Sequence, residues 1–275
     1  MGFFKHISSL VGFMGLPREQ RQVVFYSEGP GYWVHLGHLM KCFLDTSDTP
    51  VCFFSSSEAD PGLEIEHPNL KTFLIDESWV RDWLFANIDT DLLVMTTPDL
   101  HQYQLKRSRH NVHYVYVQHS LVSLHMAYRP GAYDYFDTIF CAGPHHVVEA
   151  KALQARGNTQ IKNIVEHGYE RLDGILANNS GQAHDPAVDR SPHVLVAPSW
   201  GPTGIIERLG DAPLTAVLEA GCEATMRPHP PTPRLSADVI EEILAMHRDD
   251  PTFHYDNDVS STAAQQASDV ILSDW

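Results

Sequence analysis

Short, almost wholly apolar runs alternate along the chain with stretches in which apolar residues recur at helical spacing. In the first half, the apolar runs cover residues 23–29, 51–57, 70–75, 91–99, 113–120 and 137–144. Helical spacing follows the first run over residues 36–44, and another helix is predicted over residues 145–156. Because these strands are apolar on both faces and are separated by helices, the pattern indicates a parallel sheet that is covered on both sides.

The second half repeats this alternation after a polar stretch. Residues 178–192 are rich in Gly, Asn, Asp and Ser, so they are predicted as a linker between an N-terminal domain, 1–177, and a C-terminal domain, 193–275. In the C-terminal domain a helix is predicted over 239–248, and the apolar runs cover residues 193–200, 224–231, 253–257 and 269–275. We expect an α/β protein of two Rossmann-like domains facing a cleft, with ligands bound beyond the carboxyl ends of the strands.

The N-terminal segment, residues 1–20, has the pattern of an amphipathic helix. Its apolar residues recur at the spacing of one helix face, at Phe3, Phe4, Ile7, Leu10, Val11 and Met14. Two interpretations stay open: a helix in the interface of a membrane, or a helix that packs on the domain. No apolar run reaches the roughly 18 residues that a membrane-spanning helix needs. A myristoylation signal does not fit either, because His6 stands where Ser or Thr is required.

Composition and charge narrow the possible partners. The 275 residues are 43% hydrophobic and 20% charged, which is typical of globular proteins. The 19 Lys and Arg residues against 35 Asp and Glu leave a net charge of −16. This balance argues against a nucleic-acid partner, since phosphate backbones are bound mainly by Lys and Arg. A small anionic ligand is not excluded, because it needs only a local positive pocket.

Cysteines and histidines show no metal-binding pattern. The four cysteines are scattered without a CxxC pair, which predicts neither a zinc site nor a disulfide framework and indicates a reducing, cytoplasmic compartment. The pairs His35–His38 and His145–His146 have no carboxylate or thiolate at ligand spacing. The sequence therefore provides no evidence for a bound metal ion, while metal dependence of the reaction stays open, and no cofactor is assigned.

The first group of candidate functional residues follows the apolar run 113–120. His119 stands directly after this buried strand, and a histidine there suits a general base because its pKa lies near neutrality. The alternative is a hydrogen-bonded loop histidine without a chemical role. His125 and Arg129 follow in the same loop, whereas Arg171 and Asp173 are interpreted as scaffolding.

The second group follows the strands of the C-terminal domain. Arg227 and His229 lie in a proline-stiffened loop, where a guanidinium beside an imidazole suits a pyrophosphate or phosphoryl group. The alternative is a proline-rich turn with a surface arginine. Ser273 and Asp274 follow the last strand, and Ser199 follows the run that begins at residue 193. For Asp274 the sequence favours the role of a helix cap.

Together the clusters resemble a known family. The order FYSEG, VQHSLVSLHMAYRPGAYDYFDTIFCAGPHH, VEHGYERLD, APSW, RPHP and SDVILSDW is similar to that of the CDP-glycerol glycerophosphotransferases, which are teichoic-acid primases and polymerases with a GT-B fold. The resemblance runs from about Val23 to Trp275. It implies catalytic roles for His119 and His229, and donor binding by Arg227, Ser273, Asp274 and Ser199. It also implies an acceptor side formed by His35, His125 and Arg129.

The resemblance further implies a reaction. Glycerol phosphate, or a related polyol phosphate, would pass from a CDP-activated nucleotide donor to a hydroxyl of a polyol-phosphate or glycan acceptor, with release of CMP. The product would be a cell-surface polymer such as teichoic acid. The enzyme is then expected in the cytoplasm, with peripheral contact to the inner face of the cell membrane as an open alternative.

Three departures from the family pattern leave other readings open. Ser120 stands where the family has Gly, and the stretch after Ser199 lacks the family's phosphate-facing arginine. The chain also ends at Trp275 inside the family's last motif, so the C-terminal domain is expected to be truncated. The alternatives are a GT-B glycosyltransferase that uses a nucleotide sugar for capsule or lipopolysaccharide, and a non-catalytic remnant of such an enzyme.

Overall fold

The chain forms two compact units, Met1–Ser180 and Gly181–Trp275, each with one parallel sheet of its own. The computed structural model describes residues 2–75, 79–179, 190–257 and 263–274. The division between the units falls within the stretch predicted as a linker. Most of that linker, residues 180–189, lies outside the described residues, as does Trp275.

Unit 1 is built on a seven-stranded sheet in the order β3-β2-β1-β4-β5-β6-β7. Its strands are β1 Val23–Ser27, β2 Val51–Ser55, β3 Leu70–Leu74, β4 Leu92–Met95, β5 His113–Val117, β6 Thr138–Cys141 and β7 Asn163–Glu166. All neighbouring pairs are parallel. The order reverses between β1 and β4, and in such sheets ligands bind at the carboxyl ends of the strands beside the reversal.

Helices cover both faces of this sheet. They are α1 Gly2–Met14, α2 Pro30–Trp33, α3 Gly37–Thr46, α4 Trp79–Asn87, α5 Pro144–Ala155 and α6 Glu170–Asn179. Every residue of β1 and β2 is buried, because successive side chains point to opposite faces and both faces are covered. Tyr26 and Phe54 belong to the core on one face, and Phe25 and Phe53 to the core on the other.

The amphipathic helix α1 packs on unit 1. Phe13 is fully buried, and its ring meets the rings of Phe54 and Phe73 edge-on at centroid distances of 5.0 and 5.8 Å. On the other side of the helix, Val11 is 65% exposed. The apolar periodicity of α1 is therefore explained by packing on the domain, and peripheral membrane contact stays a prediction. In the part of the chain that the structure describes, no helix has the length and apolar character to cross a bilayer.

Unit 2 has a four-stranded parallel sheet in the order β10-β9-β8-β11. Its strands are β8 His193–Val196, β9 Glu223–Met226, β10 Phe253–Tyr255 and β11 Val270–Leu272. Its helices are α7 Ile205–Leu209, α8 Ala212–Glu219, α9 Thr232–Leu235, α10 Ala237–Met246 and α11 Ala263–Ala267. Here the strand order reverses between β8 and β11, and the carboxyl ends beside such a reversal are where sheets of this kind bind ligands.

The predicted α/β class with two parallel sheets is confirmed. Most predicted strands are present but end earlier than predicted, because the polar residues after them leave the sheet as loops. Four helices and strands of unit 1 are absent from the prediction: β7, α2, α4 and α6. Strand β7 forms one edge of the sheet and is mostly exposed, so it lacks the apolar run that marks the central strands.

Candidate functional site

His119 is the centre of a group of polar and aromatic side chains at the carboxyl edge of the unit 1 sheet. It lies two residues after β5. The hydroxyl of Tyr116 is 2.9 Å from its Nδ1, and the hydroxyl of Tyr128 is 3.5 Å from its Nε2. Burial lowers the pKa of His119, although a hydrogen bond to the backbone of Thr96 acts in the opposite direction. The imidazole is therefore neutral at physiological pH and able to accept a proton.

A second imidazole lies beside His119. The loop between α2 and α3 carries His35, which is only 4% exposed, and its ring centroid is 6.0 Å from that of His119. Burial lowers the pKa of His35 to about 3, and the positive charges of Arg171 and of His119 in its protonated form act in the same direction. The Nδ1 atom of His35 has no hydrogen-bond partner among the described residues. This ring is thus a neutral polar group that the fold leaves unsatisfied.

Residues at the start of α6 hold this arrangement together. Tyr169 donates a hydrogen bond from its hydroxyl to the carbonyl of His119 at 3.3 Å, and its ring lies 5.5 Å from that of His35. The next residue, Glu170, accepts hydrogen bonds from the backbone N–H groups of His38 and Leu39, the latter at 3.3 Å. Glu170 therefore ties the start of α6 to the start of α3, which directly follows the loop of His35. Sequence reasoning missed Glu170, because its partners lie more than 130 residues away.

The other residues predicted for the acceptor side lie farther along the loop after β5. Arg129 donates to the hydroxyl of Tyr103 at 2.6 Å and covers its ring at 5.2 Å. His125 and Arg129 line a cavity of about 70 Å³ together with Tyr128. Tyr128 also contacts His119, so it joins this small cavity to the group around His119. The predicted acceptor-side residues therefore divide, with His35 beside His119 and the other two on the cavity wall.

In unit 2 the predicted donor loop is held by contacts within the unit. The guanidinium of Arg227 forms an ion pair with Asp256, with Nη2 and Oδ2 2.6 Å apart. Asp256 follows β10, the neighbour of β9 in the sheet. His229 is exposed, and its ring lies 6.2 Å from that of Trp200. An anion that binds Arg227 would have to share the guanidinium with this carboxylate.

Asp274 caps a helix, as the sequence favoured, but the helix precedes it in the chain. Its Oδ1 accepts from the N–H of Ser199 at 2.6 Å, and its Oδ2 accepts from the N–H of Ile205, the first residue of α7, at 2.5 Å. Burial alone would raise the pKa of Asp274, but the hydrogen bonds from Ser199 and Ile205 outweigh it and lower the pKa. The neighbouring Ser273 donates to the carbonyl of Ala197 at 2.7 Å. These contacts join the ends of β8 and β11, where the strand order reverses.

Residues suited to holding a metal ion do not cluster in the described ranges. Within these ranges, no group of three or more His, Cys, Asp or Glu side chains comes together as ligands. The imidazoles of His119 and His35 have tyrosine rings as neighbours, and phenol groups with raised pKa values are poor metal ligands.

Comparison with known proteins identifies the fold. No protein-family model matches the chain, and no curated protein sequence does so either. One similar solved structure is that of UDP-GlcNAc 2-epimerase from Methanocaldococcus jannaschii in complex with UDP-GlcNAc and UDP. The TM-score is 0.58 and the sequence identity 10%, and the match covers 92% of this chain and 78% of that chain. A protein from Listeria monocytogenes assigned as a UDP-N-acetylglucosamine 2-epimerase has a TM-score of 0.59 and 13% identity, over 93% and 74%.

These findings overturn the resemblance to CDP-glycerol glycerophosphotransferases. No family model supports it, and the similar structures are UDP-GlcNAc 2-epimerases rather than phosphotransferases. The implied teichoic-acid function and the transfer of polyol phosphate from CDP-glycerol are accordingly wrong. The motifs behind the resemblance lie at strand ends, where many proteins of this architecture carry polar residues, so they report the fold rather than the reaction. The chain has the GT-B-like fold of the UDP-GlcNAc 2-epimerases.

Proposed function

We propose that the protein is an enzyme that acts on a nucleotide-activated sugar, with His119 as its proton-transfer residue. The observation that carries this proposal is the half-buried, neutral imidazole of His119 at the carboxyl edge of a Rossmann-like sheet. The fold adds support, because the M. jannaschii protein of the same fold was solved with UDP-GlcNAc and UDP. Fold alone does not specify a reaction, so the proposal depends on the chemistry of the site.

The surroundings of His119 suit an acid–base group. Burial raises the pKa of Tyr116 well above its ordinary value of 10.0, so its phenol keeps its proton at neutral pH. In the tautomer that serves as a base, Nδ1–H donates to the oxygen of this phenol, which fixes the orientation of the imidazole ring and leaves Nε2 without a hydrogen. The other nitrogen, Nε2, is 3.5 Å from the hydroxyl of Tyr128, and it is the atom that we assign to proton transfer. Epimerisation and glycosyl transfer both require a proton to be removed from a sugar carbon or a hydroxyl.

Considered by itself, unit 2 offers a place for phosphate binding at the carboxyl edge of its sheet. Arg227, His229 and Ser199 follow the strands there, and the strand order reverses beside Ser199. In this proposal Arg227 shares its positive charge between Asp256 and the phosphates, while His229 and Trp200 offer exposed rings to the base or ribose. Asp274 and Ser273 act indirectly, because their polar atoms hold the loop of Ser199 in place.

Ligand binding is the first test. The unfolding temperature would be measured with UDP, UDP-GlcNAc, CMP-sialic acid and CDP-glycerol. At a concentration 100 times Kd, a ligand adds about 2.7 kcal/mol to the free energy of unfolding. We expect stabilisation by a nucleotide sugar and none by CDP-glycerol. A protein that none of these ligands stabilises at millimolar concentration would contradict the proposal and would favour the non-catalytic alternative.

Turnover is the second test. With the nucleotide sugar that binds, we expect His119→Ala and His119→Gln to reduce kcat by about 100-fold or more. The exposed His110, on the loop before β5, provides a matched control in His110→Ala.

In deuterated water, epimerisation introduces deuterium at the inverted carbon, whereas transfer releases nucleotide only when an acceptor is present. The proposal requires activity to fall on acidification below pH 6.5, the ordinary histidine pKa, since the base must be neutral. Equal kcat values for wild type and His119→Ala would remove His119 from the mechanism.

A further inference from the structure

Residues 120–128 form the first part of the loop between β5 and β6, and only one of their side chains is buried. Leu124 is 3% exposed and belongs to the core. Met126 is 89% exposed, and Leu121 and Val122 are each exposed to about half. A segment with so few buried apolar contacts opens easily unless hydrogen bonds hold it. The position of this segment therefore depends on its hydrogen bonds to a neighbouring element.

Helix α5 supplies these hydrogen bonds. Glu149 accepts from the backbone N–H of Leu124 at 2.6 Å and also forms a hydrogen bond with the side chain of Ser123. Nearer the start of the helix, the fully buried His146 lies with its Nε2 2.9 Å from the carbonyl oxygen of Val122. Because a carbonyl can only accept, Nε2–H of the imidazole is the donor. Three consecutive residues of the segment are thus each tied to α5.

Both side chains have the charge state that these contacts need at neutral pH. Burial alone would raise the pKa of Glu149, but the hydrogen bonds from Leu124 and Ser123 outweigh it and lower the pKa. The residue therefore accepts as a carboxylate, which makes the stronger hydrogen bond. Burial lowers the pKa of His146, so a neutral imidazole with one hydrogen meets the carbonyl.

The tied residues lie between two side chains that contact each other at the candidate site. His119 directly precedes the segment and Tyr128 ends it, and the hydroxyl of Tyr128 is 3.5 Å from Nε2 of His119. The chain that connects them passes through the three residues held by α5. If these residues move, Tyr128 moves relative to Nε2 and water gains access to the imidazole.

We propose that Glu149 and His146 are positioning residues for proton transfer, which hold the segment 120–128 where Tyr128 contacts Nε2 of His119. The proposal rests on the function assigned above, because it names what holds the proton-transfer residue of that site in place. Neither side chain acts on a substrate: each works through the backbone of the loop.

The other groups that face His119 belong to different elements and stay unchanged when α5 is altered. They are Tyr32 on α2, His35 after it, the backbone of Thr96 after β4, Tyr116 on β5 and Tyr169 before α6. The lowered pKa of His119 comes from burial, opposed by the backbone of Thr96, with no contribution from the charge of Glu149. A change in this pKa in a Glu149 variant would therefore report a displaced segment rather than a lost charge.

Nuclear magnetic resonance of the protein without substrate tests the proposal. Glu149→Ala removes the acceptor, so we expect faster hydrogen exchange at the amide of Leu124. We also expect the pKa of His119 to rise towards its ordinary value of 6.5, because the imidazole becomes hydrated. Glu149→Gln loses the same charge but keeps an oxygen acceptor, and it should behave as the wild type does.

Turnover of the nucleotide sugar that binds gives a second measurement. In Glu149→Ala we expect kcat to fall about tenfold or more, since a misplaced catalytic group loses rate steeply. The acidic limb of the pH profile should move to higher pH, because the base becomes protonated more readily. His146→Leu removes the donor and His146→Gln keeps an N–H, so the same contrast is expected at the second contact.

Two controls separate positioning from a loss of stability. Phe13→Ala disturbs the packing of α1 far from the segment and should leave the pKa of His119 unchanged, although it lowers the stability of the protein. Glu166→Ala removes an exposed glutamate on β7 and should change neither quantity. An unchanged pKa of His119 in Glu149→Ala, or an equal shift in Glu149→Gln or Phe13→Ala, would refute the positioning role.

The outcomes also distinguish this proposal from the function beneath it. If a nucleotide sugar is turned over and Glu149→Ala matches the wild type in kcat and in the pKa of His119, the positioning role falls and the function stands. If the pKa moves as expected but no nucleotide sugar binds or reacts, the proposed function falls, while the hold of α5 on the loop of His119 is supported.

Discussion

Replacing Glu170 with alanine is expected to release the start of α3 from the start of α6. The carboxylate of Glu170 accepts from two backbone N–H groups, those of His38 and Leu39, which belong to the first turn of α3. Such N–H groups have no partner within the helix, so Glu170 serves as a cap supplied from a distant part of the chain. Its loss removes both hydrogen bonds and loosens the contacts of Tyr169 with His119 and His35.

The expected loss of stability in Glu170→Ala follows from the surroundings of the cap. Replacing a capping side chain by alanine costs about 0.5–2 kcal/mol. His38 is exposed, so water can reach its N–H group in the variant and the loss stays below the full cost of an unpartnered buried donor. We therefore expect Glu170→Ala to lower the free energy of unfolding by about 1 kcal/mol. Glu170→Gln keeps an oxygen acceptor and is expected to stay within about 0.5 kcal/mol of the wild type.

The stability of the wild type and that of Glu170→Gln are expected to depend differently on pH. Burial raises the pKa of Glu170 above its ordinary value of 4.5, although the hydrogen bonds from His38 and Leu39 oppose the shift. The folded protein thus binds a proton on Glu170 more readily than the unfolded chain does. From 4.5 upward to the raised pKa, the stability of the wild type relative to Glu170→Gln decreases as the pH rises.

Hydrogen exchange gives the most direct assay. The amide protons of His38 and Leu39 should exchange faster in Glu170→Ala than in the wild type, and urea unfolding measured by circular dichroism should give the expected loss of stability. Glu166→Ala, an exposed glutamate on β7 without such contacts, is the matched control. Unchanged exchange at both amides, or an equal loss of stability in the control, would refute the capping role of Glu170.

Two further predictions concern the remaining contacts between distant parts of the chain. Phe13→Ala is expected to lower the free energy of unfolding, measured with urea, by about 3–5 kcal/mol, because the ring is fully buried between two other phenylalanines. The control Val11→Ala changes an exposed side chain of the same helix and should have little effect. Equal losses in the two variants would contradict the packing of α1 on unit 1. Asp274→Ala is expected to lower the free energy of unfolding by about 1 kcal/mol and to speed hydrogen exchange at the amide of Ile205. The control Ser273→Ala should leave that amide protected. Because the pKa of Asp274 is lowered, the carboxylate should stabilise the folded protein fully above its ordinary pKa of 3.8, and this stabilisation should be lost as the pH falls below that value. A cap that survives acidification would contradict this assignment.

Much of the architecture was predictable because it depends on local patterns. The runs of β1 and β2 are five buried residues each, and only a strand covered on both faces tolerates such composition. The placement of His119 at a strand end followed from the same patterns. Strand β7 escaped prediction, because it lacks the apolar run of a buried strand and pairs only with β6, which is distant in sequence.

The sequence by itself determined the fold class, the positions of most strands and the position of His119 at a strand end, because these depend on residues close together in the chain. Tertiary structure alone decided which distant residues meet. It brought His35 and Tyr169 to His119, set Glu170 at the start of α3, and turned Asp274 into the cap of a helix that lies earlier in the chain. It also showed that short strand-end motifs, read as those of a phosphotransferase, belong to a fold shared with UDP-GlcNAc 2-epimerases. The physical reason is that such contacts depend on the path of the whole chain, which no local spacing of residues records.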